Sequence, residues 1–207
     1  RTSGSEPQPE REGAAGEYEP LQWTVVEGAS ADSRLWMELI QRYHYLGYRV
    51  PVGAQLRYLV RSARTGDAVL ACLQWTSAAW KMAARDGWIG WSAQERARKL
   101  PYIVNNSRFL ILPWVRVKGL ASKILAHCAR QLPQDWERRY RYRPLLLETL
   151  VDGRRFAGTC RIFDCAMRTS RRTLPCVTCS RTPAAGSAIT LTTSAIMTTR
   201  SRVTRRR

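Results

Sequence analysis

The stretch that decides the fold is NNSRFLILPWVRVKGLASKIL, residues 105–125. It contains an apolar run at residues 109–115 that is typical of a buried strand. Residues 117–119 (Val-Lys-Gly) then predict a loop, and apolar residues recur at helical spacing over residues 120–132. A second apolar run, LLLETLV at residues 145–151, predicts another buried strand. Strand, loop, helix and strand in this order favour a right-handed parallel crossover.

The residues upstream predict the other elements of the same domain. A one-sided helical pattern follows Asp32 and Ser33, which are both favourable N-cap residues. The order β, α, β-hairpin, α, β, α, β predicts an α/β (α+β) fold with a mixed central sheet flanked by helices. The upstream elements are a strand at 21–26, a helix at 35–43, a hairpin at 55–61 and 69–75, and a helical region at 77–100 that is interrupted at residues 86–87.

The chain divides into three parts by composition. Residues 1–20 are rich in Gly, Pro, Glu and Ser with one aromatic residue, so we expect them to be disordered. Residues 21–160 form the domain. Residues 161–207 contain ten threonines and ten arginines but no lysine, glutamate, tyrosine or tryptophan, and we expect this tail to be disordered as well.

The net charge of +18 makes nucleic acid a possible partner. Residues 161–207 hold ten arginines and one aspartate, so +9 of that charge belongs to the tail and +9 to the rest. No apolar run approaches the roughly 20 residues that a membrane span needs, and no secretory signal is evident at the start of the sequence. We therefore expect a cytoplasmic protein with no membrane partner.

Several motifs make the chain resemble a known bacterial family. They are HYLGY at 44–48, GAQLRYLV at 53–60, WTSAAWKMAARDGWIGWS at 75–92 and the stretch at 105–125, with further matches over residues 135–160. The chain resembles the DruA family of the Druantia anti-phage systems over roughly residues 22–160. This implies a role in anti-phage defence, with other defence-system proteins as partners. The sequence departs from the family after Cys160, and we interpret the tail as the product of a frameshift.

The element order also resembles the GNAT N-acetyltransferase superfamily, which binds acyl-coenzyme A. That resemblance implies acetyl-CoA or another acyl-CoA as cofactor, with its pyrophosphate at the start of the helix that follows the central strand. Unpaired N–H groups and the helix dipole favour anions at such a position. The alternative is an ordinary connection with surface charges. The candidate cofactor-binding residues are Arg116, Val117, Lys118, Gly119, Leu120, Ala121 and Ser122.

Asp86 and Glu148 are the candidate catalytic carboxylates. Glu148 lies inside an apolar strand, where a carboxylate is costly to bury unless it is paired, so its environment can tune it as a base. The alternative is a structural ion pair between Glu148 and an arginine, such as Arg108 on the neighbouring strand.

Arg85, Trp88, Trp91 and Arg108 are the candidate nucleic-acid or substrate contacts. The two indoles can stack on a base or line a substrate cleft. The alternative is a cap on the domain that is anchored by the tryptophans, with Asp86 fixing a helix end.

Four cysteines, Cys160, Cys165, Cys176 and Cys179, have a spacing that is compatible with zinc. Because their segment lacks the turn glycines and apolar positions of a zinc ribbon, we expect no metal site. The leading hypothesis is an acyl-CoA-dependent transferase that acts on or near nucleic acid. The alternatives are a non-enzymatic nucleic-acid-binding subunit that recruits a helicase or nuclease, and a non-functional truncated family member.

Overall fold

The protein is described by a computed structural model over residues 1–151 and 188–192. The strands are β1 (Arg11–Ala14), β2 (Leu21–Val25), β3 (Gln55–Ser62), β4 (Ala68–Ser77), β5 (Ile103–Ile111), β6 (Val115–Lys118), β7 (Leu146–Val151) and β8 (Ala188–Thr192). The helices are α1 (Ala31–Tyr43), α2 (Ala83–Ile89), α3 (Ala93–Lys99) and α4 (Leu120–Tyr140).

The central sheet has the strand order β2-β3-β4-β5-β7-β8. All neighbours in it are antiparallel except β5 and β7, which are parallel and are joined through β6 and α4. The predicted parallel crossover is therefore confirmed. The predicted mixed sheet flanked by helices is confirmed too.

Helices cover both faces of the sheet. Successive side chains of a strand point to opposite faces, so Arg57 and Tyr58 of β3 distinguish the two. The Arg57 guanidinium lies 5.4 Å from the ring centroid of Trp36 on α1, while the Tyr58 hydroxyl donates to Asp135 on α4 at 2.9 Å. The core consists of the apolar residues between these layers, including the fully buried Trp36 and Trp136.

Several boundaries differ from the predictions. Residues 117–118 belong to strand β6 rather than to a loop, because β6 pairs with β1. The helical region after β4 breaks at Gly90, whose φ of +69° ends α2, and not at residues 86–87. Helix α1 is capped by Ser30, which accepts from the Ser33 N–H, rather than by Asp32 or Ser33.

The prediction that residues 1–20 are disordered is wrong. β1 forms a parallel pair with β6, and two short 3-10 turns flank it. Tyr18 is buried, and its hydroxyl donates to the Glu12 carbonyl. Both Glu6 carboxylate oxygens accept from Arg42 of α1 at 2.9 and 3.0 Å. Backbone pairing and ion pairs anchor this segment, and composition alone reveals neither.

Most of the predicted disordered tail, residues 161–207, lies outside the described residues, as do the four cysteines at residues 160–179. Residues 188–192 form β8, which pairs antiparallel with β7. Among the described residues, no helix is long and apolar enough to cross a membrane.

Candidate functional site

Arg85 of α2 lies at the centre of a buried charged cluster on the sheet. Its side chain is fully buried, and its Nη1 lies 3.4 Å from each carboxylate oxygen of Glu148 on β7. Its Nε donates to Asp86 at 3.1 Å, and its Nη2 donates to the Ala79 carbonyl at 2.8 Å. We call Arg85, Asp86 and Glu148 the Arg85 cluster. It brings together both candidate catalytic carboxylates and one candidate substrate residue.

Asp86 is a well-satisfied carboxylate at the start of α2. Its oxygens accept from the Met82 N–H at 3.1 Å, from the Trp91 indole at 3.0 Å and from Arg96 at 3.5 Å, besides Arg85. Although burial acts to raise the pKa of Asp86, these donors outweigh it and lower the pKa. A carboxylate held in this way is a weak base, so the geometry fits the helix-end role that we considered as the alternative.

The pKa of Glu148 is shifted in the opposite direction to that of Asp86. The Glu148 side chain is fully buried, and burial raises its pKa while the neighbouring Arg85 acts to lower it. The arginine that pairs with it is Arg85 and not Arg108, so the suggested Arg108 partner is wrong. Arg108 instead donates to the carbonyls of Gly47 and Ser107, at 2.9 and 2.6 Å. Of the two carboxylates, Glu148 is the one whose environment suits proton transfer.

The parallel strands β5 and β7 separate next to this cluster. They pair from Ile103–Leu146 up to Asn106–Thr149. Beyond that point β7 continues for two residues that pair only with β8, while β5 continues to Ile111. A register shift opposite Gln74 leaves Ser107 as an extra residue in β5 at the same level. We call this point the β5/β7 fork.

Asn106 lies at the fork and was missed by sequence reasoning. It is only 6% exposed, yet neither its side-chain oxygen nor its nitrogen has a hydrogen-bond partner among the described residues. A buried unpaired polar group costs about 1–3 kcal/mol, so it needs an explanation such as an ordered water, a bound ligand or a catalytic role. Asn105 points to the opposite face, beside Glu148 in the register, and its Oδ1 is unpartnered as well.

The candidate cofactor segment divides in two. Its first three residues, Arg116, Val117 and Lys118, are in β6 and pair with residues 12–14 of β1. Gly119 follows with a φ of +80° as the N-cap of α4, and an added Cβ would meet no atom within 4 Å. Leu120 is fully buried and opens the helix, which continues through Ala121 and Ser122, and no side chain caps this end.

Two acidic residues of the N-terminal segment neutralise charge near this end of α4. Arg116 pairs with Glu10 at 3.2 Å, and Lys123 pairs with Glu19. Lys118 is exposed and forms no ion pair within the described part of the chain. The prediction of an anion site therefore rests on the stretch from Lys118 through the first turn of α4.

The two predicted tryptophans differ in accessibility. Trp88 is 37% exposed, whereas Trp91 lies below Arg85, with the guanidinium 5.7 Å from its ring centroid, and donates to Asp86. Trp80, which the sequence did not single out, is 54% exposed and contacts Arg96. Trp91 therefore contacts the Arg85 cluster, and Trp80 and Trp88 are the exposed indoles.

The family model described as Druantia protein DruA matches residues 4–181. The chain belongs to the DruA family. The matched span begins 18 residues before and ends 21 residues after the region 22–160 on which we recognised the resemblance. DruA family membership therefore extends over the N-terminal segment that packs on α1 and β6. No sequence among the curated proteins matches the chain.

Two solved structures resemble this DruA family member. One is a Klebsiella pneumoniae protein assigned as an acyl-CoA N-acyltransferase, with a TM-score of 0.43 and 14% identity, over 84% of this chain and 97% of that one. The other is malonyl-CoA decarboxylase from Cupriavidus metallidurans, with a TM-score of 0.39 and 13% identity, over 64% of this chain and 31% of that one. At these scores neither similarity supports an inference about activity.

Proposed function

We propose that this DruA family member is an acyl-CoA-dependent N-acyltransferase of an anti-phage defence system. The observation that carries the proposal is Asn106 at the β5/β7 fork, a buried amide to which no described residue offers a hydrogen bond. Ligands of open sheets bind where parallel strands end or diverge, beyond their carboxyl ends. A ligand with amide groups at the fork would satisfy Asn106 and remove the cost of burying it unpaired.

The chemistry of coenzyme A fits the residues around the fork. Residues 107–111 of β5 have a strand neighbour only on the β4 side within the described part of the chain, so their other edge can pair with an extended ligand. The arm of coenzyme A carries two amide groups that suit such an edge. Its phosphates suit the uncapped first turn of α4, where Gly119 leaves open space and Lys118 adds charge.

Acyl-CoA would supply a thioester whose acyl carbon an amine can attack. The carbon–nitrogen bond would form as the carbon–sulfur bond breaks, and coenzyme A would leave as a thiolate that takes up the proton lost by the amine. Glu148 would take the proton of the acceptor amine through a water molecule, because its own carboxylate is fully buried. The raised pKa of Glu148 favours this role over Asp86, whose pKa is lowered. Arg85 and Asp86 would hold Glu148 in place rather than transfer protons themselves.

The defence role rests on family membership, and an action on or near nucleic acid rests on charge. Residues 1–160 carry +9 without the tail, which favours polyanionic partners. The exposed Trp80 and Trp88 lie within five residues of Arg85 in the sequence, and such indoles suit an acceptor with aromatic rings. Other defence-system proteins, including a helicase or nuclease, are the partners we expect.

The test is calorimetric titration of the full 207-residue chain with acetyl-CoA. We expect the wild-type chain to bind and Asn106→Leu to bind about tenfold more weakly, while unfolding at higher denaturant because an unpaired amide is removed. Gln22→Leu, which removes an exposed amide on β2 away from the fork, should keep acetyl-CoA affinity. Wild-type protein without measurable acetyl-CoA affinity, or equal affinity in Asn106→Leu, would overturn the proposal.

A further inference from the structure

A cavity lies at the β2 edge of the sheet and reaches α4 at Lys123, just after the first turn that we assign to the coenzyme A phosphates. Its volume is about 510 Å³, within the range of small-molecule sites. β2 is separated from the β5/β7 pair by β3 and β4. We call it the Trp23 cavity, and it is lined by Glu19, Pro20, Leu21, Trp23, Arg64, Lys123, His127 and Arg130.

The Trp23 cavity contains three cationic side chains, of which only Lys123 forms an ion pair with another described residue. Arg64, Lys123 and Arg130 give +3, and Glu19 gives −1, so its net charge is +2 with His127 neutral. Neither Arg64 nor Arg130 forms a hydrogen bond, ion pair or ring contact with any other described residue, and both are exposed. Lys123 pairs with Glu19, and both side chains are partly exposed, at 36% and 52%.

One wall of the cavity is aromatic. The rings of Trp23 and His127 stack with their centroids 4.0 Å apart and their planes within 8°. Burial and the neighbouring Arg130 lower the pKa of His127, so a neutral imidazole stacks on the indole at neutral pH. A parallel pair of flat rings offers a planar ligand a surface on which the stack can continue.

We propose that the Trp23 cavity binds a nucleoside monophosphate unit, with its base on the Trp23–His127 stack and its phosphate on Arg64 and Arg130. Either feature alone would suit a simpler ligand. A bare phosphate would leave the aromatic wall unused in a cavity of this volume, and an uncharged aromatic ring would leave the arginines unpaired. A nucleotide satisfies both, and Arg side chains are well suited to phosphate because of their planar donor geometry.

The carboxylate of Glu19 competes with the phosphate of the ligand for Lys123. It forms an ion pair with Lys123, the third cation of the cavity, and adds a negative charge to the residues that line the cavity. A phosphate arriving at the cavity would meet a net charge of +2 with Glu19 present and +3 without it. Removal of this carboxylate should therefore strengthen ligand binding.

The test is calorimetric titration of the full chain with adenosine 5′-monophosphate. We expect binding that weakens about tenfold or more in the Arg64→Gln/Arg130→Gln variant, because two charge-assisted contacts are lost. Glu19→Gln should bind about two- to fivefold more tightly, the range for a surface charge pair. Arg34→Gln is the matched control, since Arg34 is an exposed arginine outside the cavity, and it should bind as the wild type does.

Further titrations test whether the cavity needs both the base and the phosphate, and whether the nucleotide unit belongs to nucleic acid or is free. Adenosine and inorganic phosphate should each bind more weakly than the nucleotide that combines them. A single-stranded oligonucleotide that binds more tightly than the mononucleotide, and that loses affinity in the double variant, assigns the unit to nucleic acid. Binding of the mononucleotide with no gain for the oligonucleotide assigns it to a free nucleotide. No nucleotide binding, or equal binding by wild type and double variant, would overturn the proposal.

Discussion

The Arg85 cluster and the Trp23 cavity both gather charged and aromatic side chains, yet they handle charge in opposite ways. In the Arg85 cluster the guanidinium is fully buried and contacts two carboxylates and a carbonyl. In the Trp23 cavity two arginines are exposed and form no hydrogen bond, ion pair or ring contact with another described residue. Buried charge must be satisfied within the protein, whereas exposed and unpaired charge remains available to a ligand.

Aromatic rings also have different roles in the Arg85 cluster and the Trp23 cavity. Trp91 donates its indole N–H to Asp86 and contacts Arg85, so it helps to hold a charge network. Trp23 contacts His127 by ring stacking alone, beside open space. An indole near an arginine therefore predicts a binding site only when neither group is already used inside the fold.

The largest effect should come from Arg85→Met. This change leaves Glu148 as a buried carboxylate without its partner, which costs about 3–5 kcal/mol of unfolding free energy. Urea denaturation measures the loss. In the Arg85→Met/Glu148→Gln variant the uncompensated charge is absent, so we expect a smaller loss than in Arg85→Met alone. A double variant that is less stable than Arg85→Met would contradict the view that Glu148 depends on Arg85.

Acid should reveal the opposite tuning of the two carboxylates. The folded-state pKa of Asp86 is lowered from its ordinary 3.8, so its contribution to stability is present above that value and is lost as pH falls through the lowered pKa. The pKa of Glu148 is raised, so its ionisation removes stability as pH rises from its ordinary 4.5 to the raised value.

Denaturant unfolding over a series of acidic pH values measures both contributions. We expect Asp86→Asn to be less stable than the wild type at neutral pH and to lose less stability on acidification. Glu148→Gln should lack the decline of stability above pH 4.5 that its raised pKa produces. Parallel pH profiles for the wild type and both variants would show that neither carboxylate is tuned as we describe.

The smallest effect should come from an exposed ion pair. Arg139 and Glu27 lie 3.5 Å apart, with side chains 53% and 60% exposed. Solvent screens such a pair, so Arg139→Gln should change the unfolding free energy by less than about 1 kcal/mol. This arginine-to-glutamine change is the stability reference for the arginine changes in the Trp23 cavity, which is exposed in the same way. A loss as large as that of Arg85→Met would remove the distinction between buried and exposed charge.

Apolar periodicity predicted most of the helices and strands. Backbone pairing between strands explains those that it missed. Strand β7 and helix α4 follow from apolar runs and spacing, because burial determines both. β1 was missed because Arg11–Ala14 is held by backbone pairing with β6, which leaves no apolar pattern. The same pairing places residues 117–118 of the predicted loop at the end of strand β6.

The sites were harder to predict because their residues are distant in sequence. Arg85 and Glu148 are 63 residues apart, and with many arginines present no pattern singled out Arg85 as the partner. Asn106 becomes notable only when the surroundings show that its amide has no partner. The Trp23 cavity draws on β2, a turn after β3 and one face of α4, which only the fold brings together.

The central claim is that the β5/β7 fork and the Trp23 cavity are separate sites for different ligands. The most direct test is to titrate acetyl-CoA and adenosine 5′-monophosphate into the wild type, Asn106→Leu and Arg64→Gln/Arg130→Gln. We predict that Asn106→Leu loses affinity for acetyl-CoA alone and that the double variant loses affinity for the nucleotide alone. Loss of both ligands in either variant, or of neither in both, would contradict the claim.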